Sequence, residues 1–346
     1  MSNPRVSFIL PVYNIEEEYL LKSIRSILGQ TVTNIEVILI DDGSQGSCGI
    51  VCDSFARLDK RVISIHQDNR GVAASRNVGL DHASGEWICF VDPDDWVELT
   101  LVEKLLPVLD DTETDLICFD YIEDSLSRSD SHHLGFDKGL LTSDQLNKFR
   151  VSVLHKLKVD NNFVNYLSEV LWNKMYKHSY IKEHYIRFVE KLKRGEDRVF
   201  NMMLLADVDK IVYVNECLYH YRITDNSTVN AFNPRIIEYG EAAIGTMLNW
   251  TWNNQVYDIY ANELNVYICN RFYMYLRLYF INDQSTYKAW EVHREIRRMI
   301  NREPYASAFR EVSRESMTKG EQLFIGLLKR KMIYPVMFMA WIKMKG

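Results

Sequence analysis

Over its first hundred residues the chain alternates short apolar runs with amphipathic stretches, and few folds accept that order. The runs lie at 6–12 (VSFILPV), 35–40 (IEVILI), 62–65 and 87–91, and helical patterns fill 19–28, 50–58 and 72–83 between them. This βαβαβαβ series predicts a parallel sheet with helices on both faces. The runs are continuous rather than alternating, as expected of strands covered on both sides. Further on, the pattern predicts a helix at 101–109, a strand at 115–121 and a polar loop or edge hairpin. Helical stretches around 143–157 and 166–181 come next, then a helix at 198–205 and strands at 210–214 and 217–221. From Pro234 the pattern is wholly helical and aromatic. A boundary near 230–235 divides an α/β region, 1–232, from a helical C-terminal region, 233–346.

In a sheet of this kind ligands gather beyond the carboxyl ends of the strands. Polar residues follow each of the four runs there: Tyr13 and Asn14, Asp41 to Ser44, His66 to Asn69, and Asp92 to Asp95. The last group sits in CFVDPDDWV, where like charges this close raise one another's pKa unless a cation or hydrogen-bond donors hold them ionised. Pro93 stiffens the turn by fixing its own φ and extending Asp92. Carboxylates placed in this way are hard ligands for Mg²⁺ or Mn²⁺. The alternative is a helix cap at Asp94 or Asp95, which needs one acid rather than three. Neither GxGxxG nor GxxxxGK[ST] occurs, which argues against dinucleotide and P-loop chemistry.

The net charge of −6 is unevenly spread, because residues 291–346 carry 12 Lys or Arg against 6 Asp or Glu and the remainder is therefore −12. That pattern argues against nucleic acid as a partner and for a basic tail facing an anionic surface such as phospholipid; a solvated helical surface is the alternative. The segment FIGLLKRKMIYPVMFMAWIKMKG is interrupted by Lys329, Arg330 and Lys331 and is too short an apolar run to span a bilayer. Residues 332–342 suit a helix lying in the headgroup zone, or one docked on the protein body. The N-terminus lacks the features of a signal peptide, so the expected location is cytoplasmic, peripheral at the inner face of the membrane. The six cysteines form no CxxC pair and are expected to be reduced core residues. Adjacent His132 and His133 point apart on a strand and chelate poorly as a pair.

The strings VSFILPVYN, IEVILIDDGS, DNRGVAASRNVGL, GEWICFVDPDDWVE and GEDRVFNMMLLADVDKIVYVNECLYHYR, in that order over about 230 residues, resemble family 2 glycosyltransferases of the GT-A fold. The resemblance implies an αβα sandwich, a nucleotide-sugar donor, usually a UDP-sugar, a divalent cation, and direct displacement with inversion. It assigns Pro11 and Tyr13 to the base pocket, Asp42 to uracil or ribose, and Asn69 with Arg76 to the donor pocket. Asp92 falls near the ribose and Asp94 on the metal; Pro93 stands where the family more often has Ser or Ala. By the same resemblance His220 completes the metal shell, Arg222 approaches the diphosphate, Trp172 lies near the acceptor, and Asp197 is the catalytic base. Without the resemblance, Arg76 is a surface ion pair, Asp197 a helix cap, and His220 and Trp172 core residues.

The resulting expectation is an inverting transferase that moves a hexose or N-acetylhexosamine to a hydroxyl of a glycan acceptor. That acceptor is expected to be polyprenyl-diphosphate-linked, as in surface polysaccharide synthesis, and the reading leaves room for a homo-oligomer. The rivals are a nucleotidyltransferase, whose Gly-rich basic loop is missing from PVYNIEEE, and a catalytically silent sugar-nucleotide-binding subunit.

Overall fold

The structure is a computed structural model that describes residues 3–159, 162–164, 166–223, 231–313, 315 and 317–345. Its strands are β1 (Val6–Val12), β2 (Ile35–Asp41), β3 (Val62–His66), β4 (Trp87–Phe90), β5 (Trp96–Val97), β6 (Leu116–Asp124), β7 (Ser129–His132), β8 (Gly139–Leu140), β9 (Leu157–Val159), β10 (Asn162–Val164), β11 (Lys174–Lys177) and β12 (Ile211–Arg222). Its helices are α1 (Glu17–Leu28), α2 (Cys48–Leu58), α3 (Val72–His82), α4 (Leu101–Leu109), α5 (Ser143–Ser152), α6 (His178–Glu183), α7 (Glu196–Leu205), α8 (Ile236–Asn253), α9 (Tyr257–Tyr275), α10 (Ala289–Met299), α11 (Tyr305–Glu311), α12 (Lys319–Lys329) and α13 (Ile333–Lys345), with a π-helical turn at Leu276–Phe280. The chain divides into two compact units, Met1–Arg150 with Leu167–Asp225, and Val151–Tyr166 with Asn226–Gly346.

The first unit holds one mixed sheet in the order β3-β2-β1-β4-β11-β6-β12-β5, with β7 on β6 and β8 on β12. Strands β3, β2, β1 and β4 run parallel, so their carboxyl ends share one edge. All seven residues of β1 and of β2 are buried, as their unbroken apolar runs require. Helix α1 turns Leu20, Ile24 and Ile27 inward at helical spacing. These meet Phe8, Leu10, Val37, Leu39, Trp87 and Phe119 in a continuous core. Each fully buried side chain of that size contributes roughly 1.5–3 kcal/mol.

Three stretches differ from the sequence reading. The helix expected over 143–157 ends at Ser152, and Leu157 opens β9. The stretch 166–181 is helical only at α6; before it, β11 lies antiparallel between β4 and β6. Trp172, Tyr176 and Tyr180 recur every four residues and so mimic a helix, but Lys174, Met175 and Tyr176 are all buried, as a central strand demands. The expected pair of strands at 210–221 is one strand, β12, whose register on β6 shifts between Val214 and Cys217 and again before Tyr219. The polar segment after β6 is an edge hairpin, with β7 antiparallel to β6.

The second unit contains the β9–β10 hairpin and the helices α8 to α13. Helix α9 packs on α8, α11 and α12, and buries Tyr260, Leu264, Ile268, Phe272 and Tyr275. Helix α13 packs on α10, α12 and the π-helical turn. No helix among the described residues is long and apolar enough to cross a membrane.

Candidate active site

At the carboxyl end of β2, the Asp42 carboxylate is 3% exposed and fully engaged. It accepts hydrogen bonds from the backbone N–H groups of Arg70 (2.9 Å) and Gly71 (2.7 Å) and from Gln67 Nε2 (2.6 Å). These bonds hold the loop that carries Asn69 and leave little of the carboxylate facing solvent. Gly43, at φ +74°, lies against that loop, and a Cβ there would come within 3.0 Å of the Asn69 nitrogen. Tyr13 is 50% exposed just past the end of β1, and Pro11 is buried within the strand. Asp41 meets His66 Nδ1 at 2.9 Å, and His66 Nε2 lies 2.8 Å from Asp53. The two carboxylates, Asp53 first, raise the His66 pKa.

The acidic turn is clamped between β4 and β5, and β5 pairs with Tyr219 and His220 of β12. Its three acids have different environments. Asp95 is 1% exposed, accepts from the Tyr219 hydroxyl (2.7 Å) and the Arg222 N–H (2.8 Å), and ties the turn to β12. Burial, then the Asp92 and Asp94 charges, push its pKa well up. Asp92 pairs with Arg76 at 3.1 Å, and its N–H donates to Tyr219. Asp94 is raised by burial and by Asp92, and among the described residues no cation lies within ion-pair distance of it; Arg222 offsets only part of the effect.

Arg76 joins this turn to the start of α7. Its side chain is 4% exposed, with Asp92 at 3.1 Å, Asp197 at 2.5 Å and Glu196 at 3.5 Å. Its Nε is buried without a hydrogen-bond partner. Burial opposes the Arg76 charge, but Asp197, Asp92 and Glu196 outweigh it and hold the guanidinium protonated. Asp197 retains 31% of its side-chain surface. Loss of hydration raises its pKa, Arg76 pulls it down, and Glu196 and Asp92 raise it further, leaving it above the ordinary carboxylate range. Gly195, left-handed at φ +83°, immediately precedes α7, and the amino end of the helix favours an ionised acid there.

The remaining expected site residues are each held by partners of their own around the acidic turn. Both His220 ring nitrogens meet carboxylates, Asp124 at 2.7 Å and Glu98 at 2.8 Å, and the ring stacks on Trp96 at 4.8 Å. Arg222 Nε donates to the Asp94 carbonyl (2.7 Å), and its guanidinium lies over the Tyr19 and Trp96 rings. Trp172 is 8% exposed and stacked on Tyr219 and Tyr221, so it packs in the core. His132 stacks on Tyr121 while His133 bonds Asp120 at 2.7 Å, so the adjacent pair does point apart. Asp120, His133 and Cys217 form a group of metal-donor atoms within 4.8 Å of one another, but both Asp120 oxygens already accept from Tyr213. The sequence reading gave Tyr219 no site role and Gln67 only a place among the polar residues after the third apolar run; the YHYR alternation, which puts Tyr219 and Tyr221 on one face, was the available signal for the former.

Three comparisons bear on this geometry. The model of "Glycosyl transferase family 2" matches residues 7–184. EpsH of Bacillus subtilis (strain 168) is 33% identical over 273 residues, 78% of this chain and 75% of that protein. Glycosyltransferase GlyA of Streptococcus pneumoniae is 29% identical over 86% of this chain, which spans only 42% of GlyA. A crystal structure of S. aureus TarS residues 1–349 in complex with UDP-GlcNAc aligns at TM-score 0.64 and 18% identity, covering 99% of this chain and 92% of that one. The last likeness is one of fold.

Proposed function

The chain belongs to glycosyl transferase family 2, and on that premise we propose that it is an inverting transferase. It takes a hexose or N-acetylhexosamine from a UDP-sugar to a hydroxyl of a glycan acceptor. The observation that carries this reading is Arg76, which holds the acidic turn and Asp197 on one guanidinium at the carboxyl edge of the sheet. TarS, bound to UDP-GlcNAc in its crystal structure, supports a UDP-sugar as donor. Nucleotide contacts fall to Pro11, Tyr13, Asp42, Asn69 and Asp92, with Asn69 on the loop that Asp42 holds, and Arg222 is assigned to the diphosphate.

Asp94 fits a divalent cation: it is an oxygen donor crowded by Asp92 and lacks an ion-pair partner among the described residues. His220 would have to release Asp124 or Glu98 to join it. A bound Mn²⁺ or Mg²⁺ supplies neutralisation of the leaving diphosphate. Asp197 takes the acceptor hydroxyl proton, and its raised pKa brings its basicity nearer to neutral pH. The acceptor is membrane-held and polyprenyl-diphosphate-linked, in polysaccharide synthesis at the cytoplasmic face. The basic, aromatic C-terminal sequence supports that placement.

Asp197→Asn tests the assignment. UDP binding should persist while transfer from UDP-GlcNAc falls by about 10²–10⁴-fold, the usual contribution of a general base. Undiminished transfer would remove Asp197 from the mechanism.

A further inference from the structure

Helix α13 has more apolar surface than its own unit covers. Ile333, Val336 and Ala340 are buried, whereas Tyr334, Phe338, Trp341 and Ile342 are 45–61% exposed at i, i+4, i+7 and i+8. Those intervals set a second apolar stripe on the helix, beside the buried one. Phe338 and Trp341 stack on each other at 6.2 Å. Residues 329–345 contribute five Lys or Arg and no Asp or Glu. Arg330, Lys331 and Lys343 are exposed at the two ends of the stripe.

Beside α13, a cleft of about 250 Å³ opens between α9, α12 and α13, lined by Arg271, Tyr273, Phe324, Met339 and Lys343. Apolar side chains line it beside two cations, Arg271 and Lys343, and one acid, Glu321. Arg271 Nε is buried without a hydrogen-bond partner, and Lys343 Nζ lies over the Tyr273 ring at 5.4 Å. The one acid at the cleft, Glu321, is already engaged by Asn270 and the Thr318 N–H. A group that is anionic at one end and apolar at the other matches this lining.

We propose that the outer face of α13 and the adjoining cleft dock on an anionic phospholipid bilayer, with Phe338, Trp341 and Ile342 in the headgroup–acyl boundary and Arg271 and Lys343 on a headgroup phosphate. Aromatic residues beside cations are the composition that binds this interface, and an all-positive stretch selects anionic lipid. The proposal deepens the reading above that the acceptor is membrane-held, but it needs no catalysis to be tested.

The experiment is co-sedimentation of the full chain with vesicles of phosphatidylcholine alone or with phosphatidylglycerol at 3:1, at low and high salt. Partitioning should be at least tenfold stronger on the anionic vesicles and should weaken with salt. Phe338→Asp with Trp341→Asp should lose at least tenfold, and Arg271→Gln with Lys343→Gln should weaken the preference for anionic lipid several-fold. Far-UV circular dichroism confirms that the variants fold. Equal or absent binding to both vesicles would overturn the proposal, as would a dimer in sedimentation velocity that Phe338→Asp dissolves, since a second copy would then be the occupant. UDP-induced stabilisation of the same sample, retained in either case, would separate failure of this face from failure of the transferase reading.

Discussion

A guanidinium with 4% of its surface exposed and three carboxylates around it is not an ordinary surface ion pair. Removing it leaves Asp92 and Asp197 to repel each other. A fully buried pair broken in this way costs about 3–5 kcal/mol, here discounted to about 2 because each carboxylate is about a third exposed. Arg76→Leu should therefore lower stability by about 2 kcal/mol in urea titration and reduce transfer by more than that loss explains. The acids themselves were legible from type and position, at the ends of predicted elements. Their joining by one arginine was not, because Arg76 and Asp197 stand 121 positions apart and no local pattern encodes such a pairing. Lys174 is a second buried cation, fully enclosed and donating to the Leu167 and Val170 carbonyls and to Asn173 Oδ1. Burial lowers its pKa from 10.5 to about 8. Between those values the unfolded chain binds more protons than the folded one, so this group's contribution to stability rises with pH. Relative to Lys174→Met, the native chain should gain roughly 1.5 kcal/mol between pH 8 and 9.5. A constant difference in denaturant midpoints across that range would contradict the shift.

At the scale of elements, the parallel half of the sheet was readable because both its faces are covered, which leaves continuous apolar runs with no competing period. Strand β11 was hidden by aromatics that repeat every four residues, and β5, two residues long, has no period at all. Strand β12 looked like two because its bulges interrupt the alternation. The β1–β2–β4 end opposite the site depends on a further buried cluster. There Glu36 accepts from Ser7 Oγ (2.5 Å), the Ser84 N–H (2.7 Å) and the Gly85 N–H (3.0 Å). A Cβ on Gly85 would fall 2.5 Å from Ser7 Oγ and 2.6 Å from the Ser7 nitrogen. The backbone cannot yield there without parting β1 from the turn, so Gly85→Ala should cost about 1–3 kcal/mol as overpacking does. Because this end is remote from the acidic turn, UDP affinity measured on the folded fraction should not change. A tenfold loss of affinity at unchanged stability would show that the cluster serves the site instead.

On the proposed reading, the two units of the molecule divide the chemistry. Every residue assigned to the donor, from Pro11 to Arg222, belongs to the α/β unit, while the exposed aromatic stripe and the cationic cleft belong to the helical one. The uneven charge in the sequence suggests the same split, since an acidic body and a basic tail suit different partners. Ligand linkage acts on what the ligand binds: at a concentration one hundred times Kd, a donor nucleotide stabilises the folded form by about 2.7 kcal/mol. Amides that exchange only through unfolding of the binding unit slow by the same factor, roughly 100-fold. UDP with Mn²⁺ should therefore protect β1, β2, β4, α3 and the first turns of α7 in hydrogen exchange, and leave α8 to α13 near their free rates. Anionic vesicles should do the reverse, protecting α12 and α13. Protection by UDP confined to the helices would move the nucleotide out of the crevice around Arg76, and with it the assignment of the acidic turn and Asp197 to the reaction.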